Sequence, residues 1–277
     1  MSEIDLELEL PGAFRESGAP RRLSSPRGAL GFVTIAILLI VWWVASDLRL
    51  VPALFLPSPA DVAFKLADVW VDGFADATLA QHLAASLARI VAALVAAILI
   101  GVPVGLAMGL SRPVRAIVDP IIEFYRPIPP LAYLPLVIIW FGIGEFAKIL
   151  LIYLAAFAPI AIATAAGVRN LPESRLNAAR SLGATRWQLV AHVVLPNTLP
   201  DILTGIRIGL GTGWSTLVAA ELIAATRGLG FMIQSASQFL VTDVVVMGIL
   251  VIAFVAFALE LAIRFAQRIL VPWQGRG

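Results

Sequence analysis

The chain has 277 residues, of which 60% are hydrophobic and 14% charged, with a net charge of +2 and a mean hydropathy of +0.93. Soluble domains contain roughly 45–50% apolar and about 25% charged residues, so this composition excludes a cytosolic enzyme, a secreted domain and a disordered regulator. The absence of cysteine excludes disulfides and thiolate metal sites, two histidines argue against a metal centre, and the small net charge gives no indication of a nucleic-acid partner.

Stretches of about 20 apolar residues, the length that crosses a bilayer, predict an all-α integral membrane protein with about six transmembrane helices. A polar tail over residues 1–28 precedes a transmembrane domain over residues 29–270, and a short tail over residues 271–277 follows it. Prolines interrupt the third stretch, and glycines are frequent in the fifth. The predicted spans are residues 29–45, 83–110, 117–141, 146–168, 199–220 and 244–269.

A further helix is predicted between the first two spans. Ser58 and Pro59 form a helix start, with a capping residue followed by proline at the first helical position. Residues 62–71 then have the pattern of an amphipathic helix on the membrane surface, although a simple connector fits equally well.

The basic residues predict the orientation of these spans. Thirteen arginines lie in the two tails and the loops on the side of the N-terminus, whereas four basic residues lie in the loops on the other side. Because Lys and Arg accumulate in cytoplasmic loops, both termini are predicted to be cytoplasmic.

Glycines recur every four residues in the second and fifth spans, a spacing that lets another helix approach closely. This pattern indicates close packing around a moving pathway or a dimer seam, or else the ordinary packing of membrane helices. The glycines are Gly101, Gly105 and Gly109 in the second span, and Gly205, Gly209 and Gly213 in the fifth.

Charged residues within apolar stretches are costly and need partners. Asp119, Glu123 and Arg126 are spaced to pair on one helix face or to reach the membrane interface, and Glu260 and Arg264 have the spacing of an intrahelical pair. Arg207 could meet an anion, or extend toward the interface in the same way.

No catalytic motif is present in the sequence. The two lysines, Lys65 and Lys148, follow Phe64 and Ala147, so there is no phosphate-binding G-x-x-x-x-G-K-[ST] loop, and neither H-E-x-x-H nor G-x-S-x-G occurs. Any chemistry that drives this protein is therefore expected in a partner.

The longest loop on the N-terminal side, residues 169–196, predicts a helix-turn-helix. Gly183 suits the left-handed position that ends a helix, and a second short helix is expected to begin near Ala184 and end before Pro196. Arg186 and Trp187 follow the turn and form a suitable anchor for a protein pocket. The loop is either the docking site of a cytoplasmic partner or an ordinary surface loop.

This loop resembles the EAA motif of ABC-importer permeases, E-A-A-x-x-x-G followed after nine residues by I-x-L-P. Asn177 replaces the glutamate and Val193 the isoleucine, whereas Ala178, Ala179, Gly183, Leu195 and Pro196 stand at the expected spacing. Residues 125–132, 140–145 and 180–184 resemble the nitrate, sulfonate and taurine permease family, and residues 74–87 and 213–231 are most similar to its taurine members.

The resemblance implies a type I ABC-importer permease in the bacterial inner membrane, which carries taurine inward by alternating access and has no catalytic residues or cofactor of its own. The implied partners are a second copy of the chain, two ATPase subunits that bind ATP and Mg, and a periplasmic binding protein, which would meet the segments 140–145 and 221–231. Rival interpretations are a permease for other alkanesulfonates, nitrate or a related anion, and an ATP-independent channel or secondary carrier. The residues predicted to couple to the ATPase are Asn177, Ala178, Ala179, Gly183, Ala184, Thr185, Arg186, Trp187, Leu195 and Pro196.

A substrate pathway is predicted in the fifth span. Trp214 offers an aromatic face, and Ser215 and Thr216 offer hydroxyls to a zwitterionic solute, with Glu221 further along the same helix. The competing interpretation is that the hydroxyls bond to carbonyls of their own helix and serve packing alone.

Overall fold

The computed structural model describes residues 27–272, without the side chains of residues 27–30, 32 and 224. The tails predicted over residues 1–28 and 271–277 lie almost entirely outside this range. Within it, the chain forms eleven α-helices and no β-sheet. They are α1 (Arg27–Asp47), α2 (Pro59–Val71), α3 (Leu79–Leu110), α4 (Arg112–Tyr125), α5 (Leu134–Phe141), α6 (Glu145–Arg169), α7 (Glu173–Ser181), α8 (Arg186–Leu189), α9 (Leu195–Ala224), α10 (Leu229–Gln238) and α11 (Thr242–Leu270).

Four helices in the described range are long and apolar enough to cross a membrane: α3, α6, the continuous helix Arg186–Ile223 that contains α9, and α11. A fifth crossing results if α4 and the segment Pro130–Phe141 are taken as one span, although they are bent by 87°. The apolar part of α1, Val33–Asp47, is shorter than these. Residues 27–272 thus contain four candidate spans, or five with the bent pair, and the predicted number of six is reached only if the shorter α1 also crosses.

The predicted third span is bent because prolines follow α4 directly. Pro127, Pro129 and Pro130 lack the N–H that would continue the helix, and the chain resumes as a short 3-10 turn, Pro130–Tyr133, before α5. Residues 117–141 therefore form two helices at a steep angle rather than one interrupted rod.

The core is formed by α6, which lies between α3 and α9. A Cβ on Gly105 would lie 2.5 Å from the carbonyl oxygen of Ala161, and one on Gly209 would lie 2.9 Å from that of Ala156, so only glycine permits this approach. All six predicted packing glycines face neighbouring helices of the same chain, which leaves none of them for a seam between two copies. They are Gly101, Gly105, Gly109, Gly205, Gly209 and Gly213.

The two ends of the bundle are distinguished by the loop of residues 169–196. Helices α3, α6 and α11 run toward this end, which we call the loop end, and α9 runs away from it. The opposite end carries α2 and α10. Helix α2 forms where the sequence predicts a helix, with a capping box at Ser58, and buries Val62 and Val69 against α10 and α11.

One of the two predicted ion-pair groups forms. Arg264 lies 2.6 Å from Glu260 on α11, as the spacing predicts. Asp119, Glu123 and Arg126 form no ion pair among residues 27–272, so the prediction that they pair is wrong. Helix α4 ends at Tyr125, and Arg126 lines a cavity between helices instead.

Candidate functional site

A helix-turn-helix stands at the loop end, as the sequence predicts. Gly183 has a φ of +80°, and the amides of Gly183 and Ala184 donate to the carbonyls of Arg180 and Ala179, which ends α7 in a left-handed cap. Thr185 then caps α8 through a reciprocal capping box with Gln188. The turn between the two helices is thus fixed by local hydrogen bonds.

The predicted end of the second helix before Pro196 is wrong. Residues 190–194 form a π turn, in which the amide of Leu195 donates to the carbonyl of Val190, and the helix continues into α9. The longer hydrogen-bonded ring shifts the helical register just before Pro196, whose ring would otherwise interrupt it. The side chain of Asn197 donates to the carbonyl of Val193 at 2.7 Å. Leu195 and Pro196 therefore lie inside a continuous helix.

The tip of the turn presents large apolar side chains to its surroundings. Leu182 is 89% exposed and Trp187 is 77% exposed, and Arg186 beside them is also exposed. The sequence identified Arg186 and Trp187 but missed Leu182, although its position directly before Gly183 was a usable signal. Asn177 and Ala178 are exposed on the preceding helix α7.

A cavity of about 610 Å³ lies between α4, α6 and α9. It is lined by residues 154–163 of α6 and residues 208–216 of α9, which are the middle parts of both helices, and thus it lies halfway along the bundle. Its lining residues include Tyr125, Arg126, Ile128, Pro130, Tyr133, Leu154, Ala155, Ala158, Pro159, Ile162, Ala163, Ile208, Gly211, Thr212, Ser215 and Thr216.

The polar lining of the cavity comes from one face of α9. Thr212 donates to the carbonyl of Ala155 on α6 at 3.0 Å, whereas Ser215 and Thr216 donate to carbonyls of α9 itself at 3.2 and 2.9 Å. Each hydroxyl oxygen keeps lone pairs with which it can accept a further hydrogen bond. The structure therefore brings two of the four predicted pathway residues, Ser215 and Thr216, to the cavity, together with Thr212, which the sequence analysis did not select.

Arg126 adds a positive charge to this lining. Among the described residues around the cavity it is the one with a charged side chain, and no ion pair to it occurs between residues 27 and 272. Its spacing in the sequence predicts either a pair with Asp119 or Glu123 or an extension toward the membrane interface. The prolines that follow it were the available signal that α4 ends there.

At the opposite end, the buried Arg89 of α3 joins three segments through an ion network. It lies 2.5 Å from Glu145 at the start of α6 and 2.6 Å from Glu221 of α9, and donates to the carbonyl of Arg227 at 2.7 Å. Lys148 lies 2.7 Å from Glu145 and supplies a second positive charge. Two basic and two acidic groups thus balance where a lone charge would be expensive.

The same face of α3 holds the loop between α9 and α10, residues 225–228. The hydroxyl of Ser86 accepts the amide of Leu229 at 2.9 Å, and Nδ1 of His82 accepts the amide of Gly228 at 3.1 Å. His82, Ser86 and Arg89 are spaced to lie on one side of a helix. The loop is therefore fixed to α3 by side chains from successive turns.

Two predicted pathway residues lie away from the cavity. Glu221 is fully buried, accepts the hydroxyl of Ser86 and the amide of Gly230, and pairs with Arg89. Trp214 is 7% exposed and packs into a core cluster with Ile90. The structure therefore places Glu221 in the ion network and Trp214 in the core, and brings neither of them to this cavity.

Known proteins resemble this chain over most of its length. The sequence profile described as "Binding-protein-dependent transport system inner membrane component" matches residues 97–276. The chain is 64% identical over 247 residues to the taurine transport system permease protein TauC of Escherichia coli strain K12, which covers 89% of this chain and 90% of TauC. It is 38% identical, also over 247 residues, to the putative aliphatic sulfonates transport permease protein SsuC of the same strain, with 89% of this chain and 92% of SsuC covered.

A solved structure shares the fold. A chain of the MetNI methionine ABC transporter, in inward-facing conformations, matches with a TM-score of 0.57 and 22% identity, over 74% of this chain and 98% of that one. The bundle built around α6 is thus a fold found in an ABC transporter.

Proposed function

Because the chain belongs to the family of binding-protein-dependent transport system inner membrane components, which are non-catalytic ABC-importer permease subunits, we propose that the solute it carries into the cell is taurine. The 64% identity to TauC over nine-tenths of both chains carries this proposal. The permease for aliphatic sulfonates is the more distant relative at 38%, which favours the small aminosulfonate over longer alkanesulfonates.

Membership in this family implies an ATPase and a binding protein as partners. We propose that the complete importer contains two copies of this chain and two ATPase subunits. The cavity supports a second copy, because Arg126, Thr212 and Ser215 line it yet are exposed in the single chain. A facing copy would close that side and form one pathway between two identical walls.

The loop end is proposed to face the cytoplasm, with both termini on that side, since the basic residues concentrate there. The exposed tip formed by Leu182, Arg186 and Trp187 would then insert into a groove of the ATPase, which binds ATP and Mg²⁺. Large apolar side chains beside a cation, exposed at the end of a short rigid turn, are typical of the anchor of a protein interface.

Transport is proposed to proceed by alternating access. The binding protein would release taurine at the opposite end, near the segments 140–145 and 221–231, and ATP-driven movement of the loop end would open the cavity toward the cytoplasm. The hydroxyls of Ser215 and Thr216 support a polar path through the middle of the membrane. An ATP-independent carrier would have no use for the exposed turn.

The substrate proposal is tested by the ATPase rate of the complex in liposomes, with this chain assembled with its ATPase and its binding protein. Taurine is compared with longer alkanesulfonates and with nitrate. Stimulation by taurine alone is the expected result. Equal or greater stimulation by another anion would overturn the substrate, and taurine uptake that continues without ATP would overturn the importer mechanism.

The assembly is tested separately by native mass spectrometry of the purified complex. A mass equal to two permease and two ATPase chains is expected. A single permease chain per complex would contradict the proposed pairing and would leave the cavity open to lipid.

A further inference from the structure

We propose that Arg126 binds the anionic group of the transported solute halfway across the membrane. This inference rests on the proposed function, and if the solute is taurine the anionic group is its sulfonate. The cavity lined by Arg126 lies between the middle parts of α6 and α9. A solute that passes from one end of the bundle to the other must cross this level. The residues that line the cavity are therefore placed to contact it.

Arg126 is a charged residue within the membrane domain, and it is exposed to the cavity in the single chain. Charges inside membrane domains generally pair with one another or mark a solute pathway. Other charges of the bundle are paired, since Arg89 and Lys148 both lie within hydrogen-bonding distance of carboxylates. Arg126 has no such partner among residues 27–272, which leaves its guanidinium available to a solute.

The chemistry of the guanidinium suits a sulfonate. Its planar set of N–H donors can form two parallel hydrogen bonds to two oxygens of one anionic group, and it keeps its charge at any physiological pH. A sulfonate likewise stays ionised, so the pair needs no proton transfer when the solute enters or leaves.

The rest of the lining can receive the ammonium group of an aminosulfonate. Thr212, Ser215 and Thr216 already donate their hydroxyl protons to backbone carbonyls, so their oxygens can accept from an N–H donor. The rings of Tyr125 and Tyr133 line the same cavity and can face a cation. The hydroxyl of Tyr125 is buried without a hydrogen-bond partner in the described part of the chain.

Arg207 offers a matched comparison within the same bundle. It lies one residue before Ile208 of the cavity wall on α9, and it is half-buried, but it is absent from the residues that line the cavity. If any positive charge in the middle of the bundle attracted anions equally, Arg207 and Arg126 would have the same effect. The proposal requires that they differ.

The test uses the fact that the chain contains no cysteine. Ser215→Cys places a single thiol in the cavity of the permease–ATPase complex in lipid nanodiscs. Its labelling rate is measured with two methanethiosulfonate reagents of similar size, one that carries an ethylsulfonate and one that carries an ethyltrimethylammonium group. The ratio of the anionic to the cationic rate reports the local charge and requires no transport.

We expect Arg126→Gln to lower this ratio by about tenfold, because it removes one charge close to the thiol, and Arg126→Lys to retain most of the ratio. Arg207→Gln should leave the ratio within about twofold of the parent value, since Arg207 does not line the cavity. An unchanged ratio in Arg126→Gln, or an equal fall in Arg207→Gln, would overturn the proposal. Co-purification of the ATPase with each variant shows that the variant is folded.

Uptake separates this inference from the substrate proposal. In proteoliposomes that contain the complete importer, Arg126→Gln should raise the KM for taurine by about tenfold, with partial recovery in Arg126→Lys. A parent complex that does not take up taurine would refute the proposed substrate only, since the labelling ratio still decides whether Arg126 forms an anion site. A normal KM in Arg126→Gln would refute the anion site and leave taurine as the substrate.

Discussion

The guanidinium of Arg89 lies 2.6 Å from the carboxylate of Glu221, although the two residues are 132 positions apart in the chain. Arg89 is 4% exposed and Glu221 is fully buried. The pair links α3 to α9, and Glu145 extends the link to α6. One buried cation thus connects the three helices that form the core of the bundle.

The first prediction concerns this pair. Arg89→Met should lower the free energy of unfolding by about 3–5 kcal/mol, because it leaves the carboxylate of Glu221 buried without its partner. Thermal unfolding of the purified complex measures the loss. The double variant Arg89→Met, Glu221→Met should recover part of it, since it removes the unpaired charge.

The pair of Glu260 and Arg264 is the matched control, because both side chains are about half exposed. Glu260→Gln should cost less than about 1 kcal/mol. A loss in Arg89→Met no larger than that in Glu260→Gln would show that the buried pair of Arg89 and Glu221 does not stabilise the fold.

The second prediction concerns the contact of α3 with α6. Gly105→Ala should destabilise the chain by about 1–3 kcal/mol, because the new Cβ would lie 2.5 Å from the carbonyl oxygen of Ala161. Gly211→Ala is the control, since a Cβ at this helical glycine meets no atom within 4 Å. Unfolding temperatures should fall for Gly105→Ala only. Equal melting of the two variants would contradict the close approach.

The third prediction concerns the loop that α3 holds at the opposite end. Gly228 has a φ of +137°, and a Cβ there would lie 2.5 Å from Oε1 of Glu221. Gly228→Ala should therefore displace the loop and accelerate trypsin cleavage after the exposed Arg227 by about tenfold or more, since cleavage follows the population of the open loop.

Gly142→Ala is the control for this effect. Gly142 also has a positive φ, of +78°, but a Cβ there would meet no atom within 4 Å. Gly142→Ala should strain its own turn without changing the rate of cleavage at Arg227. If backbone strain alone caused the faster cleavage, the rate would rise equally in both variants.

The fourth prediction concerns the helical turn at the loop end. Arg186→Glu should reduce ATP-driven taurine uptake by about tenfold or more, because it reverses a charge at the tip that is proposed to contact the ATPase. Gly183→Pro should have the same effect, since proline cannot adopt the φ of +80° found there. Uptake and ATP hydrolysis are measured in proteoliposomes.

The control for the turn is Trp70→Ala, which removes an exposed aromatic residue at the opposite end of the bundle. This variant, Arg186→Glu and Gly183→Pro should all insert into the membrane normally. Normal uptake in both turn variants would exclude the loop as the point of coupling.

Local features of the fold could be predicted from the sequence. The apolar stretches, the capping residue Ser58 and the left-handed Gly183 each act on residues a few positions away, and the helices and turns that they predict are present. The intrahelical pair of Glu260 and Arg264 belongs to the same class. In each case the interaction lies within one or two turns of a helix.

Features that depend on distant segments could not be predicted in this way. Nothing near Glu221 in the sequence indicates that its partner is Arg89, so its carboxylate was assigned to a solute pathway. Arg126 illustrates the reverse error, because its local spacing suggested a pair although it lines a cavity formed with α6 and α9. Pro196 alone predicts the end of a helix, because the compensating π turn has no sequence signature as clear as that of a proline.

The π turn keeps the segment from Arg186 to Ile223 a single continuous helix of 38 residues. At 1.5 Å per residue, Trp187 before the π turn and Ser215 after it are about 40 Å apart along the helix axis. The π turn at residues 190–194 lies between these two points, and the amide of Leu195 donates to the carbonyl of Val190 across it, so the helix is not interrupted. A tilt of this helix at Trp187 would therefore move the hydroxyls of Thr212, Ser215 and Thr216, which line the cavity. The proposed contact with the ATPase and the wall of the cavity thus lie on one continuous helix.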